Sequence, residues 1–434
     1  MDWHEKYADK IVSAEEALMH IKPGENVVPA DFCAEPDYLM TKLAEVAPKL
    51  GGKIKTTHGG NVGAEHHLDE GMEKYIDMNI LCCVPKSRQV LDEHRGMYTP
   101  CYFHQWPRLL GKGGPQQADV ALVSLSEPDE NGMCSMSVSA DYTHYLPDIA
   151  RLTIGMVNKE VPWIESNLVS IDKIDYLVEH DEPVVKLLDS VPGEKEEKIA
   201  KNVLPLIHDG DCIQIGRGKL PDYVMSQLMD RKHLGIHSEM ISDGVMKLMK
   251  AGVVDNSMKQ VHPGKTVCCM VAGSAELYDW VDHNPDIDLL PVDFTNDPFI
   301  IAQNDNVVSL NSALEVDLLG QVCCEMIGPR QFTGIGGFTD FVRGAQESKG
   351  GRVIIALSAT NSKGTISRIV PTITPGAATA ATRWDADYIV TEYGVAHLWG
   401  RSNQERAEAI ISIAHPDYRD NLRKVAIERG LIRE

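Results

Sequence analysis

The chain has 434 residues, too many for one ordinary core, so two domains of roughly 200 residues each are expected. Its hydrophobic content of 43% fits a globular protein, and no apolar run approaches the ~20 residues that a membrane helix needs, so a soluble protein is expected. A formal charge of -21 argues against nucleic acid or an anionic membrane as partner, because both require a basic footprint; a small anionic ligand stays open if basic residues gather at its pocket.

The N-terminus, MDWHEKYADK, is polar and charged from its second residue, unlike a secretory h-region or a basic transit peptide. From Ile21 the chain reads IKPGENVVPADFCAEPDYLMTKL, with the grammar of a Gly turn, a short apolar strand, a loop, then Pro at the start of an amphipathic helix. The stretch HGGNVGAEHHLDE brings His58, Glu65, His66, His67 and Asp69 close in sequence. Its spacing is not H-E-x-x-H and adjacent histidines point apart, so no metal site is expected. Strand-like runs follow at DVALVSLS from Asp119 and LTIGMVN from Leu152.

The charged, Pro/Gly-containing stretch 181–201 reads as a boundary, giving an N-terminal α/β domain over 1–188 and a C-terminal one over 189–434. Just past it, from Ile207, IHDGDCIQIGRGKLPDYVMSQL repeats the grammar seen from Ile21. Gly24 matches Gly210, Pro36-Asp37-Tyr38 matches Pro221-Asp222-Tyr223, and one single-residue gap aligns the copies. Further strand-like runs lie at TVCCMVAG from Thr266, RVIIALS from Arg352 and DYIVTEYG from Asp387. Strands alternating with helical patterns imply an α/β fold with mostly parallel sheets and active groups at the strands' carboxyl ends, built as two tandem related domains.

The copies differ in their chemistry. The first loop, ADFCAEPD, has no glycine, whereas the second, IGRGKLPD, has Gly216 and Gly218 around Arg217, with Lys219 next. Such a loop suits an anion or an oxyanion at a helix N-terminus, and it also suits an ordinary strand-to-helix turn with exposed basic residues. Following the next helix, the first copy runs KIKTTHGGNVG and the second HLGIHSEMISDG, so only the second offers a carboxylate there, Glu239. By itself that acid is a solvated strand end, a cap neighbour, a metal ligand, a base or a nucleophile.

Three other features carry candidate chemistry. Gly334, Gly336 and Gly337 in QFTGIGGFTD suggest a tight backbone passage, against a ligand or against another strand. Glu392 ends an apolar run, and Asn296 and Asn311 read as turn formers before functional amides. Three of the cysteine pairings in sequence, Cys82-Cys83, Cys268-Cys269 and Cys323-Cys324, fall in apolar segments with no CxxC among them. They are expected to fill cores in a reducing cytoplasm. No Gly-x-Ser-x-Gly elbow occurs.

Together the motifs resemble the family I coenzyme A transferases of the acetyl-CoA hydrolase/transferase group, in their 4-hydroxybutyrate branch. The likeness runs from MDWHEKYADKIVSAEEAL through VSLSEPDENGMCSMSVSADYT, GIHSEMISDGV, NSALEVDLLGQV, the GIGG cluster with DFVRGA, and TEYGVAHLWG to ERAEAIISIAHPDYRD. The resemblance implies an active site in the cleft between the domains, with Glu239 as a nucleophile that carries CoA as a glutamyl thioester in ping-pong kinetics. It implies Asn296 near the reacting carboxylates and Glu392 as a second active-site glutamate. Ile215, Gly216, Arg217, Gly218, Lys219, Gly334, Gly336 and Gly337 would border CoA, Lys363 would contact it, and Ala313 would line the pantetheine channel. CoA is then a substrate, acetate and a four-carbon acid such as butyrate or 4-hydroxybutyrate are the acyl partners, no cofactor is tightly bound, and a homodimer or larger oligomer is expected. Relatives carry GIGAIP-like sequence where this chain has GRGKLP, which leaves the role of Arg217 open. An acyl-CoA hydrolase and a non-catalytic protein binding CoA or a phosphometabolite are the alternatives.

Overall fold

Runs that are apolar at every position suit strands covered on both faces, and the strands Val120–Leu125 and Leu152–Val157 are buried along their whole lengths. They belong to the first of two compact units in a computed structural model that describes residues 3–60, 62, 63, 65–188, 191–216 and 218–433. This unit comprises residues 1–187 with 267–295; the second comprises 188–266 with 296–434.

The sheet of the first unit uses β1 (Asn26–Pro29), β2 (Ile54–His58), β3 (Ile76–Ile80), β4 (Gly96–Tyr98), β5 (Val120–Leu125), β6 (Leu152–Val157) and β7 (Tyr176–Glu179). Their order is β4-β3-β2-β1-β5-β6-β7, and every neighbouring pair is parallel. Helix Asp37–Val46 covers it with the stripe Leu39, Met40, Leu43 and Val46, the spacing of one helix face.

The second unit pairs β8 (Cys212–Ile215), β9 (Gly235–Ile236), β10 (Val307–Ser312), β11 (Arg352–Ala356), β12 (Tyr388–Thr391) and β13 (Gly394–His397) in the order β9-β8-β10-β11-β12-β13. All pairs are parallel except β12 with β13. Its core gathers Phe341, Val342, Ile355, Ile389, Ile410 and Leu422 from the sheet and three helices.

The repeat seen in the sequence is also a repeat of topology. In each unit the first strand, β1 or β8, lies between the next strand in the chain and a later one. Gly24 and Gly210 both take positive φ, 87° and 79°, and each donates its N–H to the residue before or near the next strand, Lys53 O at 2.7 Å and Lys232 O at 2.9 Å. The helices that follow begin differently: Pro36 precedes the first, whereas Pro221 sits inside the first turn of Lys219–Ser226, where a missing N–H costs nothing.

Two features differ from the sequence expectation. Residues 267–295, assigned above to 189–434, pack with the first unit because backbone bonds join them to it: Val271 N–H to Val138 O at 2.8 Å and Ala140 N–H to Cys269 O at 2.9 Å. The run TVCCMVAG forms two short strands, Thr266–Cys268 and Met270–Val271, outside both main sheets. Cys82 and Cys83 follow β3 in a turn, and Cys33, Cys83, Cys134, Cys212, Cys268, Cys269 and Cys323 are buried. Among the described residues no helix is long and apolar enough to cross a membrane.

Candidate active site

The second unit's sheet is short at β9, and the chain leaves it at Ile236 to continue as His237, Ser238 and Glu239, beyond the carboxyl end of a parallel strand, where open α/β sheets hold their ligands. Polar side chains hold this departing segment from behind. Asn256 Oδ1 accepts the Ile236 N–H at 2.8 Å, and buried Lys259 donates from Nζ to Ile236 O at 2.7 Å and Lys265 O at 2.6 Å. Gly235 makes room for that lysine, since a Cβ there would lie 2.6 Å from Lys259 Cγ. His237 N–H bonds to Ile213 O at 3.2 Å. Ser238 Oγ both accepts from Ile215 N–H at 3.3 Å and donates to Ile215 O at 3.1 Å, a double role open to a hydroxyl. The residue that ends β8 and begins the glycine loop is thereby fastened to the residue before Glu239.

Glu239 is half-buried, and its Oε2 accepts a hydrogen bond from Asn296 Nδ2 at 2.9 Å. Asn296 is fully buried, immediately before a turn in which Asp297 Oδ1 accepts Phe299 N–H at 2.8 Å and caps Pro298–Ile301. Asn296 Oδ1 has no hydrogen-bond partner among the described residues. Gly337, the residue before helix Phe338–Glu347, completes the group: a Cβ added there would lie 2.1 Å from Glu239 Oε2 and 2.3 Å from Asn296 Nδ2. The third glycine of the cluster is therefore small because a carboxylate and an amide occupy its side-chain space. A ten-residue helix thus begins beside Glu239, and its unsatisfied N–H groups and positive dipole end favour negative charge there.

Most of the other candidates lie in segments that end or follow strands of this sheet. Ile215 ends β8; Gly216 is exposed; Gly218, at φ 129°, is in a conformation that favours glycine and leads helix Lys219–Ser226, whose first residue Lys219 is exposed. Arg217 lies outside the described residues. Gly334 is buried and Gly336 half-buried, both leading into Gly337. Glu392 follows β12, with Oε2 accepting Ala359 N–H at 2.8 Å from the loop after β11. Burial lowers the pKa of nearby Arg368 while the charge of Glu392 acts to raise it. Lys363 sits in an exposed turn of that loop, where Gly364 N–H bonds to Asn361 O at 3.0 Å. Ala313 follows β10 but is packed in the hydrophobic core.

Asn311, read as a turn former, lies within β10, where its Nδ2 donates to Gln214 Oε1 at 3.0 Å across to β8. The histidine stretch belongs to the first unit's core. His58 ends β2 with its ring 5.2 Å from that of buried His67; burial pushes His58 down to about 4 and His67 well below its usual value, and pushes half-buried Glu65 up to about 7. Among the described residues no three His, Cys, Asp or Glu side chains are grouped to hold a metal ion. Sequence reasoning missed Asn256 and Lys259 as supports of the Glu239 segment. Gly235 was their one signal, a glycine in an apolar strand, which marks a close approach by another group.

Comparison with known proteins gives a consistent result over the chain's length. Residues 1–189 match the acetyl-CoA hydrolase/transferase N-terminal domain, and residues 273–426 match the C-terminal domain of that family. A 4-hydroxybutyrate coenzyme A transferase of Clostridium kluyveri is 44% identical over 423 residues, covering 97% of this chain and 98% of the relative. Two solved structures are similar throughout. One is RipA from Yersinia pestis, with 35% identity, a TM-score of 0.93 and 100% of both chains covered. The other is a 4-hydroxybutyrate CoA-transferase from Porphyromonas gingivalis, with 37% identity, a TM-score of 0.82, and 99% of this chain and 100% of the other covered.

Proposed function

The chain belongs to the acetyl-CoA hydrolase/transferase family, and from that premise we propose that it moves CoA between small carboxylic acids with Glu239 as nucleophile. The observation that carries this reading is the grip on one carboxylate, Asn296 on Oε2 and Gly337 against it at a helix start. The Glu239 carboxylate attacks the thioester carbonyl, expelling CoA thiolate and forming an acyl-glutamyl anhydride. The thiolate then attacks the glutamyl carbonyl, releasing the free acid as its carboxylate and leaving a glutamyl-CoA thioester. An acceptor carboxylate reverses both steps and takes the CoA. No proton is consumed and no external energy is needed, because anhydride and thioester are comparably activated.

Each tetrahedral intermediate carries an oxyanion, and the N–H groups at the start of helix Phe338–Glu347 supply donors of the right kind. The Ile215–Lys219 loop, with Gly334 and Gly336, would border CoA; exposed Lys219 and Lys363 are available to its phosphates, and Ala313 would back the pantetheine channel. Binding energy from the nucleotide end would be realised at the thioester. Glu392, with Oε2 fixed by Ala359, would be the second carboxylate of the site. Acetate and a four-carbon acid, 4-hydroxybutyrate or butyrate, are the proposed acyl partners, which the names of relatives support. CoA serves as a substrate, with no tightly bound cofactor, in a cytoplasmic homodimer.

Incubation with acetyl-CoA followed by borohydride and mass spectrometry should mark Glu239, and labelled acetate should exchange into acetyl-CoA. Full exchange by Glu239→Ala would overturn the assignment. Thioester loss that does not depend on added carboxylate would replace transfer by hydrolysis.

A further inference from the structure

His237 is fully buried two residues before Glu239, and nothing in the reaction above uses its ring. Its neighbour Asn304, also fully buried, has its amide orientation fixed: Oδ1 accepts the N–H of Gln260 at 3.1 Å and of Val261 at 2.9 Å. The other amide atom, Nδ2, then faces His237 Nδ1 at 3.3 Å. An amide NH2 only donates, so Nδ1 is the accepting nitrogen, and the neutral ring carries its proton on Nε2.

Asn296 and Asn304 lie on one short stretch of chain around the turn Pro298–Ile301. Each sends its amide NH2 to a residue of the departing segment, Asn304 to His237 and Asn296 to Glu239. The two points of attachment are two residues apart, so together they fix position and rotation where one alone would fix only a distance. The same stretch packs on helix Phe338–Glu347, because Gly344 lets Ile301 approach so closely that a Cβ there would lie 2.5 Å from Ile301 Cγ2. Phe341 of that helix meets the His237 ring edge to face at 6.4 Å.

We infer that His237 is a positioning residue: its Nδ1, held by Asn304, is the second anchor that sets the Glu239 carboxylate against the start of helix Phe338–Glu347. The inference rests on Glu239 being the nucleophile. Losing the anchor lets the carboxylate drift, and misplacement by about 1 Å costs on the order of 10²-fold in kcat. Binding of acyl-CoA, made elsewhere, changes little.

The test compares His237→Leu, which has no acceptor, with His237→Asn, whose amide oxygen falls near the place of Nδ1, and His237→Gln, whose amide falls near Nε2. The expected result is a roughly 10²-fold lower kcat with KM for acetyl-CoA within about threefold for Leu and Gln, and recovery of most of the loss for Asn. Nitrogen-15 shifts of histidine-labelled wild-type protein should show Nδ1 unprotonated. Asn304→Asp, which replaces the donor by an acceptor, should move the proton to Nδ1 and lower kcat, a readout that remains if the His237 variants do not fold. Wild-type kcat in His237→Leu beside an inactive Glu239→Ala, or a protonated Nδ1 in wild type, overturns the inference alone. Persisting transfer in Glu239→Ala overturns the nucleophile reading and the kinetic role of His237 with it.

Discussion

Replacing Gly337 by alanine adds a single methyl group at the point where Glu239 and Asn296 meet. The backbone there, φ -88° and ψ 9°, accepts an L-residue, and losing an N-cap glycine costs about 1 kcal/mol of stability, so the effect on the reacting carboxylate is steric. The new Cβ would stand 2.1 Å from Glu239 Oε2 and 2.3 Å from Asn296 Nδ2, more than 1 Å inside the 3.4 Å where ordinary contact begins. Both groups have to move, and their hydrogen bond of 2.9 Å is lost or stretched. Overpacking of this kind costs about 1–3 kcal/mol of stability. Displacing the reacting carboxylate by about 1 Å costs on the order of 10²-fold in rate, equivalent to about 2.7 kcal/mol of barrier. Gly337→Ala should therefore melt a few degrees lower, by calorimetry, yet lose about two orders of magnitude of kcat in acetate exchange. A variant with kcat within twofold of wild type would refute the argument that this glycine's missing side chain defines the Glu239 site.

Three other perturbations follow from the same structure. Ser238→Ala removes both bonds that tie Ile215 to the Glu239 segment; it should raise KM for acyl-CoA several-fold, measured in initial-rate assays, with about 1–2 kcal/mol lost in urea unfolding. Lys259→Met keeps the buried stem but strips the donor from Ile236 O and Lys265 O, for an expected loss of about 2–3 kcal/mol in the same unfolding measurement. His58 protonates near 6.5 in the unfolded chain and only near about 4 when folded, so stability falls as pH drops through that window. The slope approaches 1.4 kcal/mol per pH unit and the total is about 3 kcal/mol. His58→Phe should flatten that acid-side loss, and the difference between variant and wild type cancels the opposing contribution of buried Asp31, which burial and Asp141 push upward. Parallel stability-versus-pH curves for the two proteins would count against it.

What the sequence made legible was local or periodic. The strands Val120–Leu125 and Leu152–Val157 announced themselves as unbroken apolar runs, and the grammar around Gly24 and Gly210 announced a repeated unit. Glu239 stood out because its counterpart in the first copy lacks an acid. Its contact with Asn296 was legible only through the family resemblance, since 57 residues separate the two and no local pattern links them, whereas the folded chain brings them within 2.9 Å. The glycine cluster was visible, but which glycine faces a functional group depends on where helix Phe338–Glu347 begins. Asn311 misled because asparagine favours turns in general, whereas here an amide pair with Gln214 holds it in a strand. The run TVCCMVAG misled because an apolar period says that a segment is buried without saying which sheet it joins. Residues 267–295 return to the first unit through backbone bonds that no side-chain pattern encodes.

The two copies also explain each other. Asn26 pairs with Lys55 and Val27 with Thr56 in the first unit; Cys212 pairs with Gly235 and Ile213 with Ile236 in the second. With Gly24 set on Gly210, these registers put Gly59 in the place that Glu239 holds. A side chain at Gly59 has no room: its Cβ would lie 2.4 Å from Asp31 Oδ1 and 2.7 Å from a ring carbon of Trp106. The first unit thus also has a carboxyl group at the end of its second strand, but it comes from the neighbouring loop and is buried. There Asp31 accepts the Gly60 N–H at 3.1 Å, and burial with the nearby Asp141 raises its pKa well above the usual carboxylate range. A carboxyl group sealed in a core, with a second acid beside it, is out of reach of a substrate, and it serves instead to tie the ends of β1 and β2 together. Glu239 comes from the strand end itself, stays half exposed and has an amide donor on Oε2. The same strand end thus supports a structural acid in one copy and an accessible one in the other. The difference comes down to whether the side-chain space is filled from behind by Asp31 or kept clear by Gly337.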